Sequence, residues 1–163
     1  MAKKRSAKKS KKAADRNFFC IFSIVLALSL FLDRIVKHIL LRNFFFGTSF
    51  PLIGRFVYFN LTGNSGAAFS MLPGRNILLI WASVIALGAI LFFSEKISKD
   101  RWLAVFSGLV AGGILGNLYD RIVYGFVVDF IDLRIWPVFN IADSCITIGA
   151  IGLAIILLLR KSN

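Results

Sequence analysis

The sequence predicts a membrane all-α protein, with four transmembrane helices and a small extracytoplasmic β-rich cradle at the outer membrane–water interface. Three observations predict this fold class. The chain of 163 residues is 58% hydrophobic, with a mean hydropathy of +0.78. Its apolar residues concentrate in four runs of membrane-spanning length, and the segments between the runs include strand-like patterns. A soluble domain of this size would have too little polar surface to cover so much apolar side chain.

Four apolar runs are the candidate membrane spans. They cover residues 17–32, 77–94, 102 to about 118, and about 140 to 159. Each is close to the roughly 20 residues that a helix needs to cross a bilayer. The first run follows a basic segment, as a secretory signal would. No convincing small-residue cleavage site follows it, and three more spans do, so we interpret it as a retained helix.

A basic tail precedes the first span. Residues 1–16 hold eight of the twenty Lys and Arg, and we expect them to form a disordered cytoplasmic tail. Residues 17–163 then form a single membrane domain. The formal net charge of +12 does not indicate nucleic-acid binding, because no aromatic or Gly-rich platform accompanies the basic run.

Short basic segments predict the orientation of the chain. Residues 95–101 carry three positive side chains, and the chain ends in a basic segment, residues 160–163. With four spans, these segments and the tail lie on one side, so both termini are predicted to be cytoplasmic. Residues 33–76 and 119–138 then face outward.

Both outward segments carry strand-like patterns. Arg55, Val57, Phe59 and Leu61 alternate with Phe56, Tyr58 and Asn60, which is the period of a short strand. Residues 125–140 have a similar composition. Trp136 and Tyr58 suit a membrane–water boundary, and the two segments together predict the β-rich cradle.

Small residues recur along the third and fourth spans. Close helix packing explains them without any further function. They are Gly108, Gly112 and Gly116 in span three, with Cys145, Gly149 and Gly152 in span four.

Polar residues gather on one side of the predicted membrane domain. At helical spacing, Asn140 shares a face with Asp143, and Asn117 shares a face with Arg121. Asp33 ends the first predicted span on the same side. The other polar residues of that side lie in the outward segments and are Asn64, Asp120, Asp129 and Asp132. Structural charges placed at random would lie on both surfaces.

The available side chains limit the chemistry. His38 is the single His, and no His, Cys and acid cluster has metal-ligand spacing. We therefore expect no metal and no cofactor. Cys20 and Cys145 fall within spans and are interpreted as small core residues. Paired carboxylates remain, which can share a proton and activate water. A small transporter or channel, and a non-enzymatic membrane scaffold, are the alternative functions.

Four blocks of the sequence resemble the signature blocks of bacterial lipoprotein signal peptidase, also called signal peptidase II. They are "DRIVK" at 33–37, "NSGAAFS" at 64–70, "GGILGNLYDRIVYGFVVDFID" at 112–132 and "FNIADSCI" at 139–146. The blocks follow the family's order and spacing, and the resemblance covers nearly the whole chain after the basic tail.

The resemblance implies an aspartic endopeptidase that removes signal peptides from prolipoproteins, cutting before a diacylglyceryl-modified cysteine. Asp129 and Asp143 match the catalytic pair. Asp120 would be structural, in an ion pair with an Arg, although the sequence alone leaves it a rival to Asp129. The matching substrate-binding and supporting positions are Asp33, Asn64, Gly66, Asn117, Arg121 and Asn140.

The resemblance also implies where the protein acts and what it contacts. We expect a multi-pass protein of the bacterial cytoplasmic (inner) membrane with its active site at the outer, periplasmic face. Its expected partners are diacylglyceryl-modified prolipoproteins and membrane lipids, and a monomer is the expected state.

Overall fold

The computed structural model describes residues 2–66, 76–97 and 100–161. The described elements follow the order helix, two strands, two helices, strand, helix. They are α1 (Ala2–Asn43), β1 (Ser49–Ile53), β2 (Val57–Asn64), α2 (Asn76–Ile97), α3 (Arg101–Val123), β3 (Val127–Asp132) and α4 (Ile141–Lys161). Within the described ranges, four helices are long and apolar enough to cross a membrane. This confirms the predicted fold class.

Helix α1 is longer than the sequence predicted at both ends. It begins at Ala2 and therefore includes the basic tail. Ala and Lys are strong helix formers, and a helix that continues from a formed span needs no new nucleus. Asp33 is not the end of the helix, which continues to Asn43. The extension is stable because Val36 and Leu40 pack against the sheet.

Helix α3 is at the centre of the bundle and packs against the other three helices. Its glycines allow close approach to α1, as predicted. A Cβ built on Gly108 would lie 2.8 Å from the carbonyl oxygen of Phe22, and one on Gly112 would lie 2.7 Å from that of Leu26. On α4, a Cβ on Gly149 would lie 2.7 Å from the carbonyl oxygen of Phe106.

The three strands form one antiparallel sheet in the order β1-β2-β3. Residues 54–56 form a turn, so the strand expected from residue 55 begins two residues later, at Val57. The sheet's buried side chains pack against the end of α1, which holds the sheet at that end of the bundle. They are Phe59, Leu61, Val128 and Phe130.

The segment after β3 returns to pair with that strand. Phe139 forms an isolated antiparallel bridge with Ile131. Asn140 therefore lies beside β3, immediately before α4 begins. Asp120 was assigned to the second outward segment, but α3 extends to Val123 and Asp120 is helical.

Candidate active site

The first turn of α4 explains how Asp143 lies inside an apolar helix. Asn140 is the N-cap residue, and its Oδ1 accepts a hydrogen bond from the Asp143 backbone N–H at 2.8 Å. The Asn140 backbone N–H donates to Asp143 Oδ2 at 3.3 Å. This reciprocal pair is a capping box. Asp143 is thus the third residue of α4, where the positive end of the helix dipole favours a carboxylate.

Asp129 lies on β3 and is 1% exposed. Its Oδ2 accepts a hydrogen bond from Asn64 Nδ2 at 3.0 Å, and its Oδ1 accepts one from Asn140 Nδ2 at 2.7 Å. The sheet register places Asn64 close by, because Thr62 pairs with Asp129 and side chains two residues apart share a face of a strand. Gly66 N–H donates to Asn64 Oδ1 at 3.0 Å, which orients the Asn64 amide towards Asp129.

Two asparagines connect the two acids. Asn140 Nδ2, which donates to Asp129, also lies 3.1 Å from Asn117 Oδ1. Asn117 Nδ2 donates to Asp143 Oδ1 at 2.7 Å. A strand acid, a helix acid and two amides therefore form one continuous polar network.

Burial alters the proton affinity of Asp129. Loss of solvent, and then the negative charge of nearby Asp143, raise the pKa of Asp129 to about 7. The hydrogen bonds from Asn64 and Asn140 act in the opposite sense. The two acids are thus close enough to interact, and Asp129 can hold a proton near neutral pH.

A cavity of about 270 Å³ opens on this network. Its wall includes the polar side chains of Asn64, Asn117, Arg121 and Asp143, together with Gly66. A second cavity of about 340 Å³ shares Asp143 with the first and is lined mainly by apolar side chains, including Trp136, Phe139 and Ile148. The site therefore combines a polar part at the acids with an apolar part along α4.

Asp33 lies behind the site. Its Oδ1 accepts a hydrogen bond from the Ala142 backbone N–H at 3.0 Å, so it caps the same turn of α4 that holds Asp143. Asp33 is fully buried and forms an ion pair with Lys37 at 3.0 Å. Asp33 therefore contacts the α4 backbone and a cation, and its supporting role stays a prediction.

Asp120 contacts cations. It forms ion pairs with Arg34 and with Lys37, the latter at 2.7 Å, and its Oδ2 also accepts a hydrogen bond from the Val128 backbone N–H at 3.2 Å. These contacts match the ion-pair interpretation and distinguish it from Asp129, whose carboxylate binds the two amides.

Sequence reasoning missed two parts of the site. Lys37 was quoted only within a block, although its spacing of four residues from Asp33 was a signal for an ion pair on one helix face. Trp136 was interpreted as an interfacial aromatic residue, but it lines both cavities. Residues 67–70, the end of one block, lie outside the described residues. Within the described ranges, no group of three His, Cys, Asp or Glu is placed to hold a metal ion.

Comparison with known proteins gives the family. A model described as signal peptidase (SPase) II matches residues 24–159. This chain belongs to the signal peptidase II family. It is therefore a peptidase, and its apolar helices make it a multi-pass membrane protein. Membership sets aside the transporter and scaffold alternatives.

Relatives of known name and solved structures agree with this family. The chain is 44% identical over 134 residues to a lipoprotein signal peptidase of Desulfitobacterium hafniense, covering 81% of this chain and 88% of that protein. It is 41% identical over 127 residues to one of Halothermothrix orenii, covering 78% and 88%. A solved structure described as a bacterial membrane enzyme at 2.3 Å resolution aligns with a TM-score of 0.83 and 35% identity, covering 87% of this chain and 90% of that one.

Proposed function

We propose that this protein is a membrane aspartic endopeptidase that removes signal peptides from prolipoproteins by two-aspartate activation of water. The cut falls before a cysteine that carries a diacylglyceryl group. The observation that carries the proposal is the amide-bridged network joining Asp129 to Asp143 at the wall of a cavity. The named relatives, which are lipoprotein signal peptidases, support the substrate class.

The two acids can perform peptide hydrolysis without a covalent intermediate. Asp143 lines the cavity and accepts a proton from a water molecule, whose oxygen attacks the scissile carbonyl. Asp129 donates its proton to the carbonyl oxygen, giving a tetrahedral diol. When the C–N bond breaks, a proton passes to the leaving amine of the lipid-modified cysteine. The signal peptide leaves with the new carboxyl group.

The assignment of the shared proton follows from the surroundings of the acids. Asp129 is buried and its pKa is raised to about 7, whereas Asp143 lines both cavities. A carboxyl group that keeps its proton near neutral pH is suited to act as the acid, and an ionised group facing the cavity is suited to act as the base.

The remaining cavity residues suit the substrate. Arg121 and Asn64 line the cavity beside Asp143, where they can bind the peptide backbone. The apolar second cavity lies next to the acids along α4 and suits the acyl chains or the apolar signal peptide. The monomer expected from the sequence is the proposed active form.

The test is cleavage of a defined substrate by the purified protein. Diacylglyceryl-modified prolipoprotein should lose its signal peptide, and mass spectrometry should show a product that begins at the modified cysteine. The same prolipoprotein without the lipid is the matched control and should remain intact. Intact modified substrate after incubation with folded enzyme would contradict the proposal.

A further inference from the structure

Lys37 is a buried cation to which the proposed reaction assigns no role. Its side chain is fully buried. The Nζ atom lies 2.7 Å from Asp120 Oδ2, 3.0 Å from Asp33 Oδ2 and 3.3 Å from Asn117 Oδ1. The positive charges of Lys37 and Arg34 balance the negative charges of Asp33 and Asp120. Buried charges need such partners. Charge balance does not explain the third contact, to a neutral amide.

We infer that Lys37 is a positioning residue for the proposed reaction, acting through Asn117 to orient and strengthen the hydrogen bond that holds the Asp143 carboxylate. This inference rests on the proposed function of the two acids. Lys37 of α1 then affects Asp143 of α4 through the Asn117 amide of α3.

The orientation of the Asn117 amide follows from its donors. An ammonium group can only donate hydrogen bonds, so Lys37 requires the oxygen of Asn117 to face it. The NH₂ group then faces Asp143 Oδ1, to which it donates at 2.7 Å. Asn140 Nδ2 donates to the same Asn117 oxygen at 3.1 Å. The ammonium adds a charge, which polarises the amide and makes its N–H a stronger donor to Asp143.

Lys37 also contacts the acid that supports the α4 backbone. Asp33 Oδ2 lies against the ammonium as an ion pair that lacks hydrogen-bond alignment. The other oxygen, Oδ1, accepts the backbone N–H of Ala142, the residue before Asp143. Both the carboxylate of Asp143 and the backbone beside it are therefore held by groups that Lys37 contacts.

Arg34 provides a matched control. Like Lys37, it forms an ion pair with Asp120, but its other described contacts are the Gly116 carbonyl oxygen and the ring of Tyr119. Arg34→Gln therefore removes one positive charge from the same cluster without touching the Asn117 amide.

The first experiment compares Lys37→Met with Arg34→Gln on a lipid-modified reporter peptide. Lys37→Met should lower kcat by roughly 10- to 100-fold, the effect of losing a charged hydrogen bond, with little change in KM. Arg34→Gln should lower the melting temperature but retain most of kcat. In an Asn117→Ala background, Lys37→Met should add little further loss, because residues that act as a unit are not additive.

The pH profile provides a readout that does not depend on how much enzyme folds. Without the charge of Lys37, the acids are harder to ionise, so the acidic limb of kcat should move to higher pH, whereas Arg34→Gln should move it less. Lys37→Arg keeps the positive charge. It should therefore return the acidic limb to the pH of the parent protein more completely than it restores the value of kcat. The charged groups that surround the site and contribute to the profile are Asp33, Arg34, Asp120, Arg121, Asp129 and Asp143.

A titration without substrate separates this inference from the proposed function. The carboxyl carbon of Asp129, followed by NMR in detergent, should titrate at higher pH in Lys37→Met than in the parent protein. If the parent protein cleaves no reporter, the proposed function fails, and the titration still decides the role of Lys37. A titration unchanged by Lys37→Met would overturn the inference, as would equal losses of kcat in Lys37→Met and Arg34→Gln.

Discussion

Asp143 is a carboxylate near the end of a membrane-spanning helix, where a charge costs several kcal/mol by most estimates. Its surroundings offset that cost. The Asn140 backbone N–H and the Asn117 amide both donate to it, and the N-terminal end of α4 contributes roughly 0.3–1 kcal/mol through the helix dipole. The single acid that interrupts the apolar sequence is therefore held by groups that satisfy its charge beside an open cavity.

Conversion of each candidate acid to its amide tests the pair. Asp→Asn keeps the size of the side chain but removes its ability to exchange a proton. Asp129→Asn and Asp143→Asn should each lower turnover by roughly 10³-fold or more, and the double variant should be little worse than either. All three should still bind the lipid-modified substrate. Cleavage rate and binding in detergent are the measurements.

Asp120→Asn is the matched control for these variants. Because Asp120 forms ion pairs with Arg34 and Lys37, its loss should lower the melting temperature more than it lowers turnover. A folded but inactive Asp120→Asn enzyme, beside an active Asp129→Asn enzyme, would make Asp120 the partner of Asp143.

The raised pKa of Asp129 predicts how stability depends on pH. The folded protein holds the Asp129 proton up to a pKa of about 7, against an ordinary value of 3.8. This group's contribution to stability is therefore complete below pH 3.8 and is lost as the pH rises towards 7. The amide of Asp129→Asn does not titrate. The melting temperature of this variant minus that of the parent protein should therefore increase from about pH 4 to about pH 7, a window of roughly three pH units, and should be constant above it. A difference that is constant with pH would contradict this assignment.

At the scale of elements, α3 brings the site together because it can approach both α1 and α4. Its glycines remove the side chains that would separate the helices, and close packing is the main force between helices in lipid. Asn117 lies on this helix between Lys37 of α1 and Asp143 of α4. The spacing of three helices thus determines the geometry of the polar network.

Adding a methyl group to one of these glycines should separate α3 from α1. A Cβ at Gly112 would lie 1.9 Å from Ser29 Oγ and 2.7 Å from the Leu26 carbonyl oxygen. The carbonyl belongs to the backbone and cannot rotate away, so Gly112→Ala should destabilise the protein by roughly 1–3 kcal/mol. Gly88 on α2 is the control, because a Cβ there meets no atom within 4 Å. Thermal unfolding of both variants in detergent should show a loss in Gly112→Ala alone, and equal effects would contradict this packing role.

At the scale of the whole molecule, the sheet and the candidate site lie at one end of the helical bundle. The sheet packs on the end of α1. Asp129 is part of its strand β3, and Asp143 is in the first turn of α4. At the other end, Arg160 of α4 forms an ion pair with Asp100 at 2.6 Å, near the basic segment between α2 and α3. The sequence predicts that the basic end is cytoplasmic and that the acids face outward.

Cysteine labelling tests this orientation. Cys20 and Cys145 are first replaced by Ala to provide a background without thiols. A Cys at Arg55, an exposed residue of the β1–β2 turn, should react with membrane-impermeant reagents added from outside. A Cys at Ser98, in the connection between α2 and α3, should react only after the membrane is opened. The reverse pattern would place the candidate acids at the cytoplasmic face and contradict the proposed substrate.

The basic tail can be tested by truncation. Deleting residues 2–12 should leave kcat of the purified enzyme unchanged, because no candidate site residue lies there. The amount of enzyme inserted should fall, since Arg16 would remain before the first span with Asp15 to offset it. Quantitative immunoblotting of membranes and the kcat of purified protein are the two measurements. If the truncated protein were folded and inserted but inactive, the tail would have a role in catalysis.

The sequence by itself determined the four spans, the close-packed glycines and the gathering of acids on one side. These features follow from local hydrophobicity, from helical spacing and from the number of membrane crossings. They can therefore be predicted without knowing which residues are in contact. Asp143 could be singled out for the same reason, as a lone charge inside an apolar run.

Only the tertiary structure decided how the polar residues connect. The distances from Lys37 to Asn117 and from Asn140 to Asp129 join residues that are 80 and 11 positions apart. They depend on how closely the helices pack and on the return of the chain at Phe139. The extension of α1 to Asn43 likewise needed the sheet, because its apolar face is buried only where the sheet packs on it. Local patterns carry no information on such contacts, since each one arises from the joint packing of several elements.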